Sequence, residues 1–433
     1  MSHILNLEKF SFLVYGLGSS GLSVIQYFKK KKINSYYVWD DNIKLRKKFY
    51  NKNIKNVKNL KSICKKVDYI ILSPGISLKK TPHKKELIKF KKKIITDIDL
   101  LYLCNPKFKS IVVTGSNGKS TTCKIIYHLL KKNNFNVLLG GNIGKPVLSL
   151  KIKKNMFLVI EASSFQLSHS KFIHPNYAIL LNITNDHLDW HGSMKKYLES
   201  KLKIFYLQKK RDFAFINESF RNIFQKKKYL SKLVSLKFKD YKKIKFRIKN
   251  IYLRSATNDQ NMNYIYTLAK LLRISDTSFI KSMSSFVGLP HRHEIFLKKG
   301  GITFINDSKA TSFQSSRFAL ASSKNIYWIV GGLPKEKDKI DFKNIKNNIT
   351  KSYIIGKNIS FFKKQLNNKV KFTIKKTLRK AIISALKDMK QSDEINKVIL
   401  LSPGAASFDQ FENFERRGNE FKKLSKLYAK KFI

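Results

Sequence analysis

Three stretches of this chain carry residues whose types and spacing can do chemistry. The run Ile111-Val112-Val113-Thr114-Gly115-Ser116-Asn117-Gly118-Lys119-Ser120-Thr121-Thr122 leads from an apolar stretch through a Gly-rich turn into a helical pattern. Glycines let backbone amides wrap a phosphate, Lys119 can bridge β- and γ-phosphates, and the Ser120 hydroxyl can ligate Mg²⁺. Val113 stands where the strict phosphate-loop pattern has its first Gly; the strand before and the helix after still favour a phosphate loop over a chance turn. Glu161 ends the next apolar run and is the natural carboxylate for a hard cation held among phosphates. His187 sits in the polar cluster Asn182 to His191, two strand-ends from the loop, where a ligand role outweighs that of an ordinary histidine. Nearer the N-terminus, Gly16-Leu17-Gly18-Ser19-Ser20-Gly21 follows an apolar run and opens a helix, offering amides and a helix N-terminus to a pyrophosphate. Asp40 ends the run after it, where a ribose or base contact is expected. This glycine pattern says nucleotide without saying which, and a packing turn explains it nearly as well.

Groups at such positions need a frame that ends several strands on one edge. Short β-rich runs do recur, at Phe12 to Tyr15, Tyr36 to Trp39, Tyr69 to Leu72, Ile111 to Val113, Phe157 to Ile160, Ala178 to Leu181, Ile302 to Ile305, Ile326 to Val330 and Val398 to Leu401. Each is followed by a turn cluster and a helix-like stretch, the rhythm of parallel sheets covered by helices. The expected class is therefore α/β, with nearly every polar motif on the C-terminal edge of a strand, where open sheets bind ligands. Boundaries are expected near residues 92–96 and at Gly288-Leu289-Pro290, dividing the chain into 1–94, 95–289 and 290–433. The Lys-rich stretch from about Gln208 to Lys249 is weakly patterned and carries no assignable chemistry.

A length of 433 residues suits about three domains, and 42% hydrophobic residues suffice for real cores. The 88 Lys and Arg against 28 Asp and Glu leave a net charge of +60. That invites a polyanionic partner, but the lysines are spread along the whole chain, which fits compositional drift on tolerant surface better than a nucleic-acid interface. Cys64, Cys104 and Cys123 lack metal or disulfide spacing. No leader-like segment or bilayer-length apolar run is evident, so a cytoplasmic protein is expected, with no membrane or nucleic-acid partner.

The loop Thr114 to Ser120, the sequence Gly141-Asn142-Ile143-Gly144 and the segment Asn185-Asp186-His187 resemble the Mur ligase superfamily, whose members form amide bonds with ATP. Within it, Glu161 to Leu167, Leu289-Pro290-His291-Arg292, Asn306-Asp307-Ser308-Lys309-Ala310-Thr311 and Leu401 to Phe421 are most similar to the branch that adds D-glutamate to UDP-N-acetylmuramoyl-L-alanine. The resemblance spans essentially the whole chain. It implies a Rossmann-like N-terminal domain, a central phosphate-loop ATPase domain with a mostly parallel sheet and a Rossmann-like C-terminal domain, with ATP and Mg²⁺ as cofactors and a monomer as the working form.

The resemblance also implies residue roles. Gly16, Gly18, Gly21, Asp40, Asp41 and Ser73-Pro74-Gly75-Ile76 would hold the UDP portion, and Asn142 and His187 would face substrate and metal. Gly115, Ser116, Asn117, Gly118, Lys119, Ser120, Thr121, Asn258 and Asn261 would contact ATP, joined by Arg292, Asp307 and Lys309. Thr311, Lys335, Ser407 and Phe414 would receive D-glutamate. Ser120, Glu161, His187 and Lys201 would hold the metal, Lys201 matching a lysine that is carbamoylated in this family. By pattern alone Lys201 is a solvated helix lysine, and Lys203, on another face, should tolerate truncation. Arg416 and Arg417 read as a solvated helical stretch, so truncating Arg417 should matter less than truncating Ser407. Departures from the family pattern are Asp41 in place of a small polar residue, Thr257 in place of a histidine, and a second lysine, Lys337, beside Lys335. Rival readings are a folylpolyglutamate synthase or another amino-acid ligase of the superfamily, and a basic, non-enzymatic phosphate-loop protein that binds nucleic acid.

Overall fold

A computed structural model of the chain describes residues 7–49, 59–104, 107–234, 236, 238–255, 258–335 and 338–433; Thr257 and Lys337 lie outside them. It forms two compact units, Met1–Phe286 and Val287–Ile433. The first contains two sheets. One is built from β1 (Phe12–Tyr15), β2 (Tyr36–Trp39), β3 (Tyr69–Leu72) and β4 (Ile94–Ile95), in the order β2-β1-β3-β4 and parallel throughout. The other takes β5 (Lys109–Thr114), β6 (Val137–Gly141), β7 (Phe157–Glu161), β8 (Tyr177–Leu180), β9 (Phe213–Phe215) and β10 (Lys232–Val234), in the order β10-β9-β8-β5-β7-β6 and again parallel. The second unit adds β11 (Glu294–Lys299), β12 (Ile302–Asn306), β13 (Ile326–Gly331), β14 (Ile349–Ile355), β15 (Phe372–Lys376) and β16 (Lys397–Leu401), ordered β11-β12-β16-β13-β14-β15. Only β11 runs antiparallel in that sheet.

The central strands are continuous apolar runs because helices cover both faces. β7, Phe-Leu-Val-Ile-Glu, is buried along its whole length and breaks its apolar run only at the Glu161 that ends it. The helix Ser19–Lys30 buries Val24, Ile25 and Phe28 at three- and four-residue spacing and ends in Lys29 and Lys30. Chain order reverses direction across the sheet beside β1 and beside β5, so the two glycine turns that follow these strands open at the crevices where such sheets take ligands.

All nine strands expected from the sequence are present. Seven of the described strands were not anticipated: β4 has two residues, β6 ends in two glycines, β9 and β10 have three residues each, β11 and β15 are largely solvated, and β14 carries Thr350, Lys351 and Ser352 in its first half. The stretch Gln208 to Lys249 is no insertion. It supplies β9 and β10 to the sheet edge and the helix Phe238–Lys245, whose Tyr241 and Ile244 are buried. Among the described residues no helix is long and apolar enough to cross a membrane.

The two sheets of the first unit share an apolar cluster that includes Val24, Phe28, Ile98, Leu101, Val147 and Leu148. One buried carboxylate fixes the chain where it passes between them. Asp99 Oδ2 accepts from the amide and hydroxyl of Thr96, and Oδ1 accepts from Ser170 Oγ and the amides of Lys171 and Phe172. Removing the carboxylate strands donors that cost about 1–3 kcal/mol each when buried and unpaired. Asp99→Ala should therefore lower unfolding free energy by on the order of 3 kcal/mol or more, read from the urea midpoint; a loss under about 1 kcal/mol would show that solvent replaces these bonds.

Candidate active site

The phosphate-loop region is built from the end of β5 and the start of the helix Lys119–Lys132. Gly115 has φ +155° and Gly118 φ +87°, and a Cβ on Gly118 would meet the Asn261 side chain at 2.8 Å. Only glycine suits that backbone, and its absent side chain lets Asn261 lie on the turn. The amides of Ser116 and Asn117 are held by the backbone oxygen and Oδ1 of Asn182, both at 2.9 Å. Ser116 Oγ pairs with the Tyr197 hydroxyl at 2.9 Å. Thr121 is buried and its hydroxyl has no hydrogen-bond partner.

Two lysine side-chain nitrogens converge on one carbonyl. Lys119 Nζ donates to the Gly115 and Ser116 oxygens at 2.8 Å, and Lys201 Nζ donates to the same Gly115 oxygen at 2.8 Å while lying 4.7 Å from the Tyr197 ring centre. Lys201, on the helix Met194–Tyr206, is only 1% exposed. Burial first, then the neighbouring Lys119 charge, lowers its pKa to about 6 against the partial pull of Asp186 and Glu161. At neutral pH its amine is largely uncharged. The solvated-lysine pattern reading is thereby corrected: the helix turns this residue inward with Tyr197, Leu202, Ile204 and Phe205.

Glu161 follows on the same sheet edge, 2% exposed. Its Oε1 accepts from Asn142 Nδ2 at 2.9 Å, whereas Oε2 is buried without a hydrogen-bond partner. Gly141, at φ +106°, allows the Asn142 turn to approach, since a Cβ there would stand 2.4 Å from the Glu161 carbonyl oxygen. His187 caps the short helix Leu188–His191 at φ +53°, its ring 4.7 Å from Phe165 and its Nε2 3.4 Å from Asp186. Among the described residues no three His, Cys, Asp or Glu side chains gather as a metal site. Of the expected metal set only Glu161 and His187 are of those types.

On the first sheet, Gly16 has φ +97° and Gly21 packs so closely that a Cβ would stand 1.8 Å from the Gly16 oxygen. Gly18 and Gly75 have open space on that side. Asp40 accepts the amides of Leu17 at 2.7 Å and Asn42 at 2.8 Å, tying the glycine turn to the end of β2. Asp41 accepts from the Tyr15 hydroxyl, Trp39 Nε1 and Thr81 Oγ1. Ser73 Oγ donates to the Gly16 oxygen at 2.8 Å, with Pro74 next along the chain. At the helix Asp259–Leu271, Asn258 is the N-cap residue and its Nδ2 donates to the Tyr252 oxygen at 2.8 Å.

In the second unit the ends of β12, β13 and β16 gather the remaining residues. Asp307 is buried and accepts Ser402 Oγ at 2.7 Å and the His293 amide at 3.0 Å. Burial raises its pKa to about 7 despite those bonds and the nearby Arg292. Lys309 Nζ lies 4.9 Å from the Phe414 ring centre. The turns bearing Lys335 and Ser407 are laced by paired amide bonds between Leu333 and Ala406; Ser407 is buried, while Lys335 is exposed and Thr311 half-buried.

Comparison with known proteins was made on this geometry. Residues 10–96 match the model of the Mur ligase MurD-like N-terminal domain, and residues 113–275 match that of the Mur ligase middle domain. The chain is 36% identical over 442 residues to the UDP-N-acetylmuramoylalanine–D-glutamate ligase of Rickettsia felis, covering 96% of this chain and 97% of that one. It is 32% identical to the enzyme of the same name from Aquifex aeolicus, covering 96% and 99%. This chain belongs to the Mur ligase family. The family's architecture extends to solved structures: the MurF ligase of Thermotoga maritima in complex with ADP aligns over 99% of both chains with a TM-score of 0.56 at 17% identity. MurC of the same organism aligns over 97% of this chain with a TM-score of 0.53, also at 17% identity. At that identity the likeness speaks for the fold, α/β in three Mur ligase domains.

In this Mur ligase chain two lysine and arginine expectations are overturned. Lys203 is half-buried and donates to the Ser168 and Ser170 oxygens at the end of the helix Ser164–His169, with burial lowering its pKa to about 8. It is a helix-end cap and no neutral control. Arg417 is 1% exposed, and its guanidinium donates to Ser308 Oγ, the Ser308 oxygen and the Ala405 oxygen at 2.8–3.0 Å. It thereby joins the turn after Asp307 to the turn before Ser407. The missed signal was periodicity: Arg417, Gly418, Phe421, Leu424 and Ser425 form one buried stripe of the helix Phe414–Phe432. Tyr197, which holds the phosphate loop through Ser116, carried no motif, and Asn182 stood in the polar cluster before His187 without an assigned role. Arg417→Ala should cost on the order of 3–5 kcal/mol of stability, while exposed Arg416→Ala should stay within about 1 kcal/mol; equal losses in thermal unfolding would refute the assignment.

Proposed function

We propose that the chain joins the amine of D-glutamate to the alanyl carboxylate of UDP-N-acetylmuramoyl-L-alanine, converting ATP to ADP and phosphate, in cytoplasmic peptidoglycan precursor synthesis. The observation that carries this reading is the near full-length similarity to ligases of that name, at 36% identity, joined to a buried, largely neutral Lys201 beside the phosphate loop. Residues 1–94 would bind the UDP portion, 95–289 ATP and 290–433 the amino acid; the family-model ranges 10–96 and 113–275 support the first two parts. We take the working form to be a monomer without a nucleic-acid partner.

A carboxylate resists attack by an amine, so it must first be activated. One oxygen of the alanyl carboxylate attacks the γ-phosphorus, and ADP leaves with the bridging oxygen. The D-glutamate amine attacks the acyl carbon to give a tetrahedral intermediate, the amine loses a proton, and inorganic phosphate leaves with the C–O electron pair. Lys119 stabilises charge on the transferred phosphoryl group. Because Asn182 occupies the amides of Ser116 and Asn117, the cradle for the phosphates falls to Gly118, Lys119, Ser120 and Thr121 at the helix start. Asn258 and Asn261 flank the base; Arg292, Asp307 and Lys309 complete the nucleotide contacts. Thr311, Lys335, Ser407 and Phe414 orient D-glutamate, and Gly16, Gly18, Gly21, Asp40, Asp41, Ser73, Pro74, Gly75 and Asn142 the UDP-substrate.

A hard cation fits the residues present, because Glu161 Oε2 is a buried carboxylate oxygen without a partner. Ser120, Glu161, His187 and a carbamate on Lys201 would hold Mg²⁺, which when bound offsets phosphoryl charge. CO₂ adds to the neutral amine, which then gives up a proton, so carbamoylation would make Lys201 an anionic oxygen ligand.

The deciding experiment is ADP release with UDP-N-acetylmuramoyl-L-alanine across D-glutamate, L-glutamate and other amino acids; stimulation by D-glutamate alone is expected. Lys119→Ala should lower turnover by roughly a thousandfold, several kcal/mol of transition-state stabilisation, with UDP-substrate binding near wild type. Lys201→Ala should be nearly inactive and partly restored by a short carboxylic acid that takes the carbamate's place, whereas exposed Lys195→Ala should behave as wild type. Full activity of Lys201→Ala would end the carbamate reading.

A further inference from the structure

We infer that Lys79 is the cation that receives the substrate's diphosphate as the UDP-sugar passes from the first sheet to the second, an inference that rests on the ligase reading above. On that reading the uridine end lies by Asp40 and Asp41 and the reacting carboxylate by Lys119 and Lys201, so the diphosphate must cross the interval between two sheet edges. The loop from Ser73 to Thr81 borders that interval. It is pinned at one end where Ser73 Oγ donates to the Gly16 oxygen, and at the other where Thr81 bonds Asp41 and the Tyr15 hydroxyl. Between these anchors Ser77 organises a turn, its oxygen accepting the amides of Lys80 and Thr81 and its hydroxyl the amide of Lys79.

From this fixed crest the Lys79 side chain reaches across to the second sheet. A Cβ on Gly192 would stand 2.9 Å from Lys79 Nζ, and Gly192, at φ +82°, closes the short helix that His187 begins. One ammonium therefore touches the helix beside the ATP site while its own loop is seated on the glycine turn of the UDP site. Among the described residues it makes no ion pair or side-chain hydrogen bond. A lysine held over an interval that an anion must cross, with no carboxylate of the described residues paired to it, is suited to a phosphate oxygen.

The alternative role for Lys79 is a cap on the carbonyl end of the helix Leu188–His191, with no ligand involved. Inhibition constants separate the two, because uridine and UDP differ only in the diphosphate. In the full-length enzyme, Lys79→Ala should raise the Ki of UDP and the KM of UDP-N-acetylmuramoyl-L-alanine about tenfold. The Ki of uridine, the KM of ATP and kcat should not move. Lys79→Arg should stay within about threefold of wild type, and Lys80→Ala, on the adjacent exposed lysine, should match it. An unchanged UDP constant, or UDP and uridine weakening in step, would overturn the inference and leave the helix-cap role. Wild-type enzyme that neither uses the UDP-sugar nor is inhibited by UDP would instead remove the ligase reading, and this inference with it.

Discussion

The carbonyl oxygen of Gly115 accepts from two lysines at once, and much of the site follows from that crowding. Lys119 and Lys201 nitrogens each lie 2.8 Å from it, so they are at most twice that distance apart. Two full charges at such a separation repel by on the order of 3 kcal/mol at an effective dielectric near 20. Lys119 is half-buried at the helix start, whereas Lys201 is shut in by its helix. Burial acts on Lys201 first and this repulsion second, and together they lower its pKa to about 6. A neutral amine 1% exposed can become a carbamate, and the same burial that disfavours the cation sets that group beside the unpartnered oxygen of Glu161 on the neighbouring strand end.

Holding that arrangement is the task of the sheets. In each, strands buried on both faces end in polar residues, because only there does the backbone leave the apolar layers. Backbone conformation then sets the approach. Gly118 makes room for Asn261, Gly141 lets Asn142 reach Glu161, and Gly21 sits on the Gly16 carbonyl. In the second unit, where a Cβ on Gly332 would stand 2.3 Å from the Ala406 oxygen, a side chain joins the glycine contacts: Arg417 binds the turns after β12 and before Ser407 through three hydrogen bonds. A cation so enclosed is tolerable because its Nε and Nη2 donors meet a hydroxyl and two carbonyls. The same constraint makes it a poor candidate for substitution.

The strands, the class and the phosphate loop were legible in the sequence because apolar runs ending in Gly, Asn or Asp are strong local signals. Glu161 and His187 followed from their place at strand ends. Residues that act by burial were less so. Lys201 and Lys203 differ by two positions in a lysine-rich helix, and nothing local tells the one whose amine is neutral from the one that caps a helix. Arg417 sat in a visible helical stripe, but its charge argued for solvent. Residues such as Asn182 and Tyr197 support the loop through contacts about 65 and 81 positions away in sequence, distances that local spacing does not encode.

The lysine excess itself has a structural counterpart. With 28 acidic residues for 88 basic ones, carboxylates cannot pair most cations, and the ends of helices take their place. Lys93 donates to the Cys64, Lys65 and Val67 oxygens at the end of the helix Leu60–Lys66. Lys203 does the same for Ser164–His169, Lys397 for Leu378–Lys390 and Lys299 for Phe414–Phe432. Carbonyls in the last turn of a helix have few amides left to pair with and carry the negative end of its dipole, so an ammonium there is stabilised without any carboxylate. A chain rich in lysine can thus absorb part of its charge into its own secondary structure. Lys119 and Lys201 depart from this habit, because the carbonyls they bond belong to the phosphate loop and not to the end of a helix.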